Sequence, residues 1–185
     1  MTEKRTVYIR FHAGINFNTI NTLTQTIQKK LNDGCERFVL LISSVGGNVF
    51  HGVHAYNFLK GIPAEVITHN VGSSNSVAVV LFCAGSERFC SPNARFLIHG
   101  VISHLQGDFE LKQIEEQLNI LRNDTETMAK IISDTTQKTT EEVLKTMAER
   151  TALNAEESKE FGLTTEIKEE IFEKGAEIIE INEEQ

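Results

Sequence analysis

The stretch "HNVGSSNSVAVVLFCAG" (69–85) decides how the chain is read. It sets a glycine and three serines between an extended apolar run and "SVAVVLFCA", a segment with no polar stripe that, as a helix, has to be buried. Gly72 reads as the end of a strand, and Ser73, Ser74 and Asn75 are cap-type residues at a helix start. A serine on the first turn of a buried helix can accept a bond from an orphan amide. It can also stand where the helix dipole favours an alkoxide-like nucleophile and the oxyanion that it creates.

Outward from this stretch, short runs rich in β-branched and aromatic residues mark strands at 6–11, 37–44, 64–71 and 94–101. Helical patterns alternate with them. Ile20, Leu23, Ile27 and Leu31 recur at spacings of three and four between a cap at Asn18 and a stop at Asp33-Gly34, and a second helix runs from about Asn48 to Lys60 before Gly61 and Pro63. Strand and helix in alternation predict an α/β fold, a mainly parallel sheet with right-handed crossovers and helices on both faces.

The second half is helical. Leu111, Ile114, Leu118, Leu121, Thr125, Met128 and Ile132 form one stripe on a helix from Asp108 to about Thr136, which either lies on its own sheet or projects to meet a second subunit. Shorter helices follow at 140–150, capped by Thr140, and at 154–162, capped by Asn154 and closed by Gly162. The expected organisation is one domain over 1–185 with an acidic extension at about 168–185.

Composition narrows the function. A chain of 185 residues, 40% of them hydrophobic, can bury a core without disulfides, and Cys35, Cys83 and Cys90 have no CxxC spacing, so a reducing, cytoplasmic setting is expected. No run of eighteen apolar residues is present to span a membrane. The net charge of −8 resides wholly in residues 156–185, with eleven Glu against three Lys, and reads as a solvated tail or terminal helix, or else as a partner-binding tail. The neutral remainder has no basic stripe for nucleic acid.

In a parallel sheet the carboxyl ends of the strands gather ligands. One end carries Gly46-Gly47, a tight turn or a source of unshielded amides; one carries the serines, caps or nucleophile; one carries His99, a core residue or a base. Together they supply an oxyanion hole, a nucleophile and a general base, the equipment of acyl transfer. His51 and His54, three apart on a helix, lack further ligands at matching spacing and read as a polar face. No metal or cofactor is expected.

At these residues the sequence resembles the proteolytic subunit of the ATP-dependent Clp protease, within the Clp/crotonase superfamily. "SVGGNVFHGVHAYNFLK" is similar to that family's SPGG turn and helix, "VGSSNSVAVVLFCAG" to its GMAASMGAFLLAAG segment, "ERFCSPNARFLIHG" to the stretch ending in its histidine, and "LNAEESKEFGL" to its LTAEEAKEYGL motif. The resemblance spans about 6–167. It implies Ser76, nine residues before Gly85, as nucleophile, His99 as base, and the amides of Gly47 and Val77 as the oxyanion hole. The family's third residue, an aspartate, falls on Arg150, with Glu149, Asp134 and Asp124 as possible substitutes; Val45 replaces the SPGG proline and Ala78 a glycine. The chain begins almost at its first strand, so the family's axial loop and first helix have no counterpart here and docking of an unfoldase is not expected.

The resemblance thus implies a serine peptidase acting on peptides or unfolded protein inside a homo-oligomeric ring. The alternatives are a Clp-like assembly protein whose site has decayed, favoured by Arg150, and a crotonase-like acyl-CoA enzyme, which would use the Gly-Gly turn without the serine.

Overall fold

The computed structural model describes residues 4–183; residues 1–3 and 184–185 of the expected 1–185 unit, including the end of its acidic extension, lie outside the described residues. In chain order it forms β1 (Thr6–His12), α1 (Phe17–Asn32), β2 (Arg37–Ser44), α2 (Val49–Gly61), β3 (Glu65–Asn75), α3 (Val77–Phe82), β4 (Glu87–Cys90) and β5 (Arg95–Ile98). There follow α4 (Leu111–Thr136), α5 (Thr140–Ala148), β6 (Thr151–Leu153), α6 (Ala155–Phe161), β7 (Glu166–Ile167) and β8 (Ile178–Asn182).

The strands share one sheet in the order β6-β5-β3-β2-β1-β8, with β4 beside β3 and β7 beside β4. Every pairing is parallel except β5 with β6. Residues of all the longer helices join one face of the sheet in the larger core cluster. The other face carries a smaller apolar cluster of Val39, Leu41 and Ile67 with Tyr8, Val71 and Phe89 against them. Helices on both faces were expected; instead β1 alternates buried Val7, Ile9 and Phe11 with more open Tyr8, Arg10 and His12, the pattern of a sheet with one principal core face.

Several expectations shift by a residue or more. Helix α1 is capped by Asn16 rather than Asn18, and α5 by Thr139 rather than Thr140, because each forms a reciprocal capping box, with Thr19 and Glu142. Asn154 and Gly162 bound α6, Gly162 with φ 92. The acidic end is not one tail or terminal helix: it begins in α6 and its described residues finish with strand β8 and one turn residue. Its "IIEIN" pairs with β1 from Tyr8↔Ile178 to His12↔Asn182, burying Ile181 while Glu180 pairs with Arg10.

Helix α4, 26 residues and about 39 Å long, is split between two environments. Met128, Ala129 and Ile132 are buried, whereas Leu111, Ile114 and Leu118 are 74%, 46% and 43% exposed. The stripe is continuous in sequence, but only its second half meets this chain's core.

The opening stretch departs furthest from its reading. β3 does not stop at Gly72: its register on β2 shifts between Ile42↔Asn70 and Ser44↔Ser74, so two extra residues bulge at 71–73, and the strand continues through Ser73, Ser74 and Asn75. At the bulge a Cβ on Gly72 would lie 2.7 Å from Ser43 Oγ, so only glycine passes there without displacement. Residues 67–70 of β3 pair with β4 and residues 73–75 with β5. That ladder, contributed by residues twenty positions away, outcompetes the local capping tendency of serine and asparagine.

Candidate active site

The site is built where β2, β3 and β5 end. After β2, Gly46 (φ 89) and Gly47 (φ 153) turn the chain toward α2. A Cβ on Gly46 would stand 2.5 Å from Asn75 O and 2.8 Å from Ser76 Cβ, and one on Gly47 would stand 2.2 Å from Ile15 O. The turn therefore lies directly on the Asn75–Ser76 peptide, a contact that no side chain permits. Ile15 N donates to Gly46 O at 2.8 Å and Asn48 N to Ile15 O at 2.8 Å, which fixes the turn on both sides of Gly47 and leaves the Gly47 N–H outside the bridge. The turn also borders a cavity of about 480 Å³ whose lining includes His12, Ser43, Val45, Ser73 and Glu183.

Ser76 occupies the single position between β3 and α3. Its φ of 57 is costly for a residue with a Cβ, and it is held there by its own amide, which donates to Leu97 O at 2.8 Å, and by its carbonyl, which accepts from Val79 N at 3.0 Å. It stands at the N-cap position of α3, yet its hydroxyl makes no capping bond. Ser73 lies in the strand, and Ser74 is wholly buried with an unpartnered Oγ. The cap-or-nucleophile question thus has a geometric answer: the opening serines cap nothing, and the Ser76 oxygen is uncommitted.

Behind Ser76, α3 is anchored firmly. Its six residues are entirely buried, Phe82 meets Phe96 edge-on at 4.9 Å, and Thr68 Oγ1 donates to Phe82 O at 2.7 Å. Gly52 of α2 lets that helix close on Val77, where a Cβ would come within 2.2 Å of Val77 Cγ2. Val77 is the first residue of α3, so its amide is one of the orphan donors of a helix start.

His99 follows β5, two residues after the Leu97 carbonyl that holds the Ser76 amide, and is half-buried. Its Nδ1 lies 2.7 Å from Gly100 O. A carbonyl oxygen only accepts, so Nδ1 carries the proton and Nε2 keeps its lone pair, the tautomer a base requires. Among the described residues neither Ser76 Oγ nor His99 Nε2 enters a hydrogen bond; what links the two segments is the pairing of Asn75 with Leu97 and the Ser76 amide on the Leu97 carbonyl.

Among the described residues no carboxylate is hydrogen-bonded to His99. β5 and β6 run antiparallel and their ladder ends at Ile98 opposite Thr151; His99 and Arg150 (φ 55) are the next residues beyond it on the two segments. Glu149 is exposed, with Lys145 at 3.9 Å; Asp134 is exposed on the last turn of α4; Asp124 is half-buried, and burial raises its carboxyl above the usual range. Among the described residues none of the three is hydrogen-bonded to His99.

The Clp protease family profile matches residues 3–171. The chain belongs to the Clp protease family. In three dimensions it resembles a point mutant of ClpP1 from Listeria monocytogenes, with a TM-score of 0.80 at 23% identity, over 90% of this chain and 92% of that one. Within this Clp protease fold the Gly-Gly turn brings Gly46 against Asn75 and Ser76, while Gly47 lies against Ile15.

Other candidates are set apart from this Clp protease site. His51 packs edge-on against Phe17 and Phe50 at 5.9 and 5.3 Å, and no cluster of three metal-ligating side chains occurs among the described residues. His69 is buried, with Nε2 3.2 Å from Ser91 Oγ, and burial lowers its pKa to about 4, so it is a neutral core residue. No helix among the described residues is long and apolar enough to cross a membrane. Sequence reading missed Asn75, whose buried Oδ1 is unpartnered beside Ser76, and Gly52; a glycine inside a helix was the available signal for the latter.

Proposed function

We propose that the chain is a serine peptidase of the Clp proteolytic-subunit type, cleaving peptides or unfolded protein in a chamber formed by copies of itself. Ser76 Oγ attacks the peptide carbonyl and passes its proton to His99 Nε2; the amides of Gly47 and Val77 receive the oxyanion. As the C–N bond breaks, His99 returns that proton to the leaving amine, and water then hydrolyses the acyl-serine by the reverse use of the same groups. The observation that carries this reading is the Ser76 backbone: a left-handed serine whose amide is bonded two residues from His99 and whose hydroxyl is free of the helix cap.

Loss of the acid in a triad costs about 10⁴ in turnover when the imidazole takes the wrong tautomer. Here the Gly100 carbonyl keeps the productive tautomer, which preserves part of that factor, while no anion offsets the imidazolium. The exposed first half of α4 supports the oligomeric chamber, and three buried free thiols, Cys83 and Cys90 raised to about 11 by burial, suit a reducing cytoplasm.

Arg150 favours one competing reading, a non-catalytic assembly protein of the same fold. A fluorophosphonate probe read by intact mass separates the two. One adduct per chain that vanishes in Ser76→Ala supports the peptidase; an intact oligomer that takes no label supports the scaffold.

A further inference from the structure

We propose that Arg150 selects substrates, favouring peptides with a side-chain carboxylate immediately beyond the scissile bond, on the leaving-group side; this rests on the peptidase reading. The register of β5 on β6, Leu97↔Ala152 and Ile98↔Thr151, ends one residue short of His99 and Arg150, which leave the two strands at the same end of the ladder. Arg150 is exposed and His99 half-buried, like the open Leu97 and Ala152 and unlike the buried Phe96, Ile98 and Leu153. Arg150 is held at φ 55 with its amide on Met147 O at 3.2 Å, and that same carbonyl accepts the amide of Gly100, whose own carbonyl orients His99. The turn bearing the guanidinium and the peptide that positions the imidazole therefore hang on one acceptor. Among the described residues the Arg150 side chain has no ion pair and no hydrogen bond.

The chemistry follows from this placement. When His99 takes the Ser76 proton, a cation forms at the same end of the ladder as a permanent cation, and like charges oppose each other. The imidazolium next gives its proton to the leaving amine, so the residue following the scissile bond lies on its side of the site. An Asp or Glu there would pair with the guanidinium in the forked geometry that arginine offers, and would supply the anion that this chain's own side chains do not. The acidic strand β8 does not repel such a peptide: it lies at the opposite edge of the sheet, five strand spacings or about 24 Å from β6, beyond a screening length of about 8 Å.

The test uses internally quenched, C-terminally amidated peptides that differ only in Glu, Gln or Lys after the cleaved bond, which is located by product mass. A Gln peptide with a free C-terminus separates a chain-end carboxylate from a side-chain one. The wild type should prefer Glu to Gln by about fivefold to tenfold in kcat/KM. The preference should persist in Arg150→Lys, vanish in Arg150→Gln and shift toward Lys in Arg150→Glu. Arg150→Gly, which relieves the left-handed backbone, should abolish the preference in a stably folded chain. Equal cleavage of all peptides by a wild type that, in a separate sample, takes the fluorophosphonate at Ser76, Glu preference surviving in Arg150→Gln, or selection of the free C-terminus alone would overturn the proposal and leave the peptidase standing. Neither cleavage nor labelling would end both.

Discussion

Gly46→Ala is the perturbation that most directly tests how the site is built. Alanine at φ 89 costs about 1–2 kcal/mol of backbone strain. Its methyl would also begin 2.5 Å from Asn75 O and 2.8 Å from Ser76 Cβ, atoms of backbone and chain root that cannot rotate away. Relieving such overpacking costs about 1–3 kcal/mol more, for a sum of about 2–5 kcal/mol against a typical domain stability of about 5–15 kcal/mol. With an m-value of roughly 2 kcal/mol per molar urea, the midpoint should fall by roughly 1–2.5 M. Because relief proceeds by pushing Ser76 away, a displacement of about 1 Å should slow fluorophosphonate labelling by about 10²-fold. Gly61→Ala is the control: it ends α2, and a Cβ there meets nothing within 4 Å. It should leave labelling unchanged and gain up to about 1 kcal/mol of helix stability. A Gly46→Ala protein with the urea midpoint and labelling rate of the wild type would refute the claim that the turn rests on Ser76.

Ile181→Ala should lose about 2–5 kcal/mol in urea unfolding, because the residue is fully buried on strand β8; a change within about 0.5 kcal/mol would mean that the acidic end is a tail after all. His69 gives a pH dependence: its folded pKa, lowered by burial to about 4, lies below the unfolded value near 6.5. The unfolded chain therefore binds the proton first, and stability is full above about pH 6.5 and declines as pH falls toward 4, by about 2 kcal/mol at pH 5. His69→Gln should flatten this part of the stability profile, and an unchanged slope would assign the effect to other groups.

The continuous apolar run of β2 and the three-four spacing of α1 are legible one-dimensionally, because burial on both sides of a strand, or along one stripe of a helix, constrains near neighbours in the chain. The Gly46-Gly47 turn was legible for the same reason. The continuation of β3 past Gly72 was not, since Ser73, Ser74 and Asn75 have a local preference for caps and turns that only the distant residues of β5 override. β8 was obscured by the glutamates around it, although the alternation of Ile179 and Ile181 with Glu180 was present to be read. The apolar stripe of α4 was evident, but which half of it this chain covers depends on the packing of α3 and α5.

By itself, then, the sequence determined the alternating α/β order, the glycines that admit close backbone approach, and a serine and a histidine at strand ends. Those follow from backbone sterics and hydrophobic periodicity, which act over a few residues. Tertiary structure decided that Ser73 and Ser74 lie in the strand while Ser76 stands at its junction with α3, that a carbonyl and not a carboxylate meets the imidazole, and that Arg150 and His99 leave the β5–β6 ladder at the same end. Each of these is a matter of strand register between segments far apart in the chain, and a ladder of hydrogen bonds sets that register only once the sheet has formed.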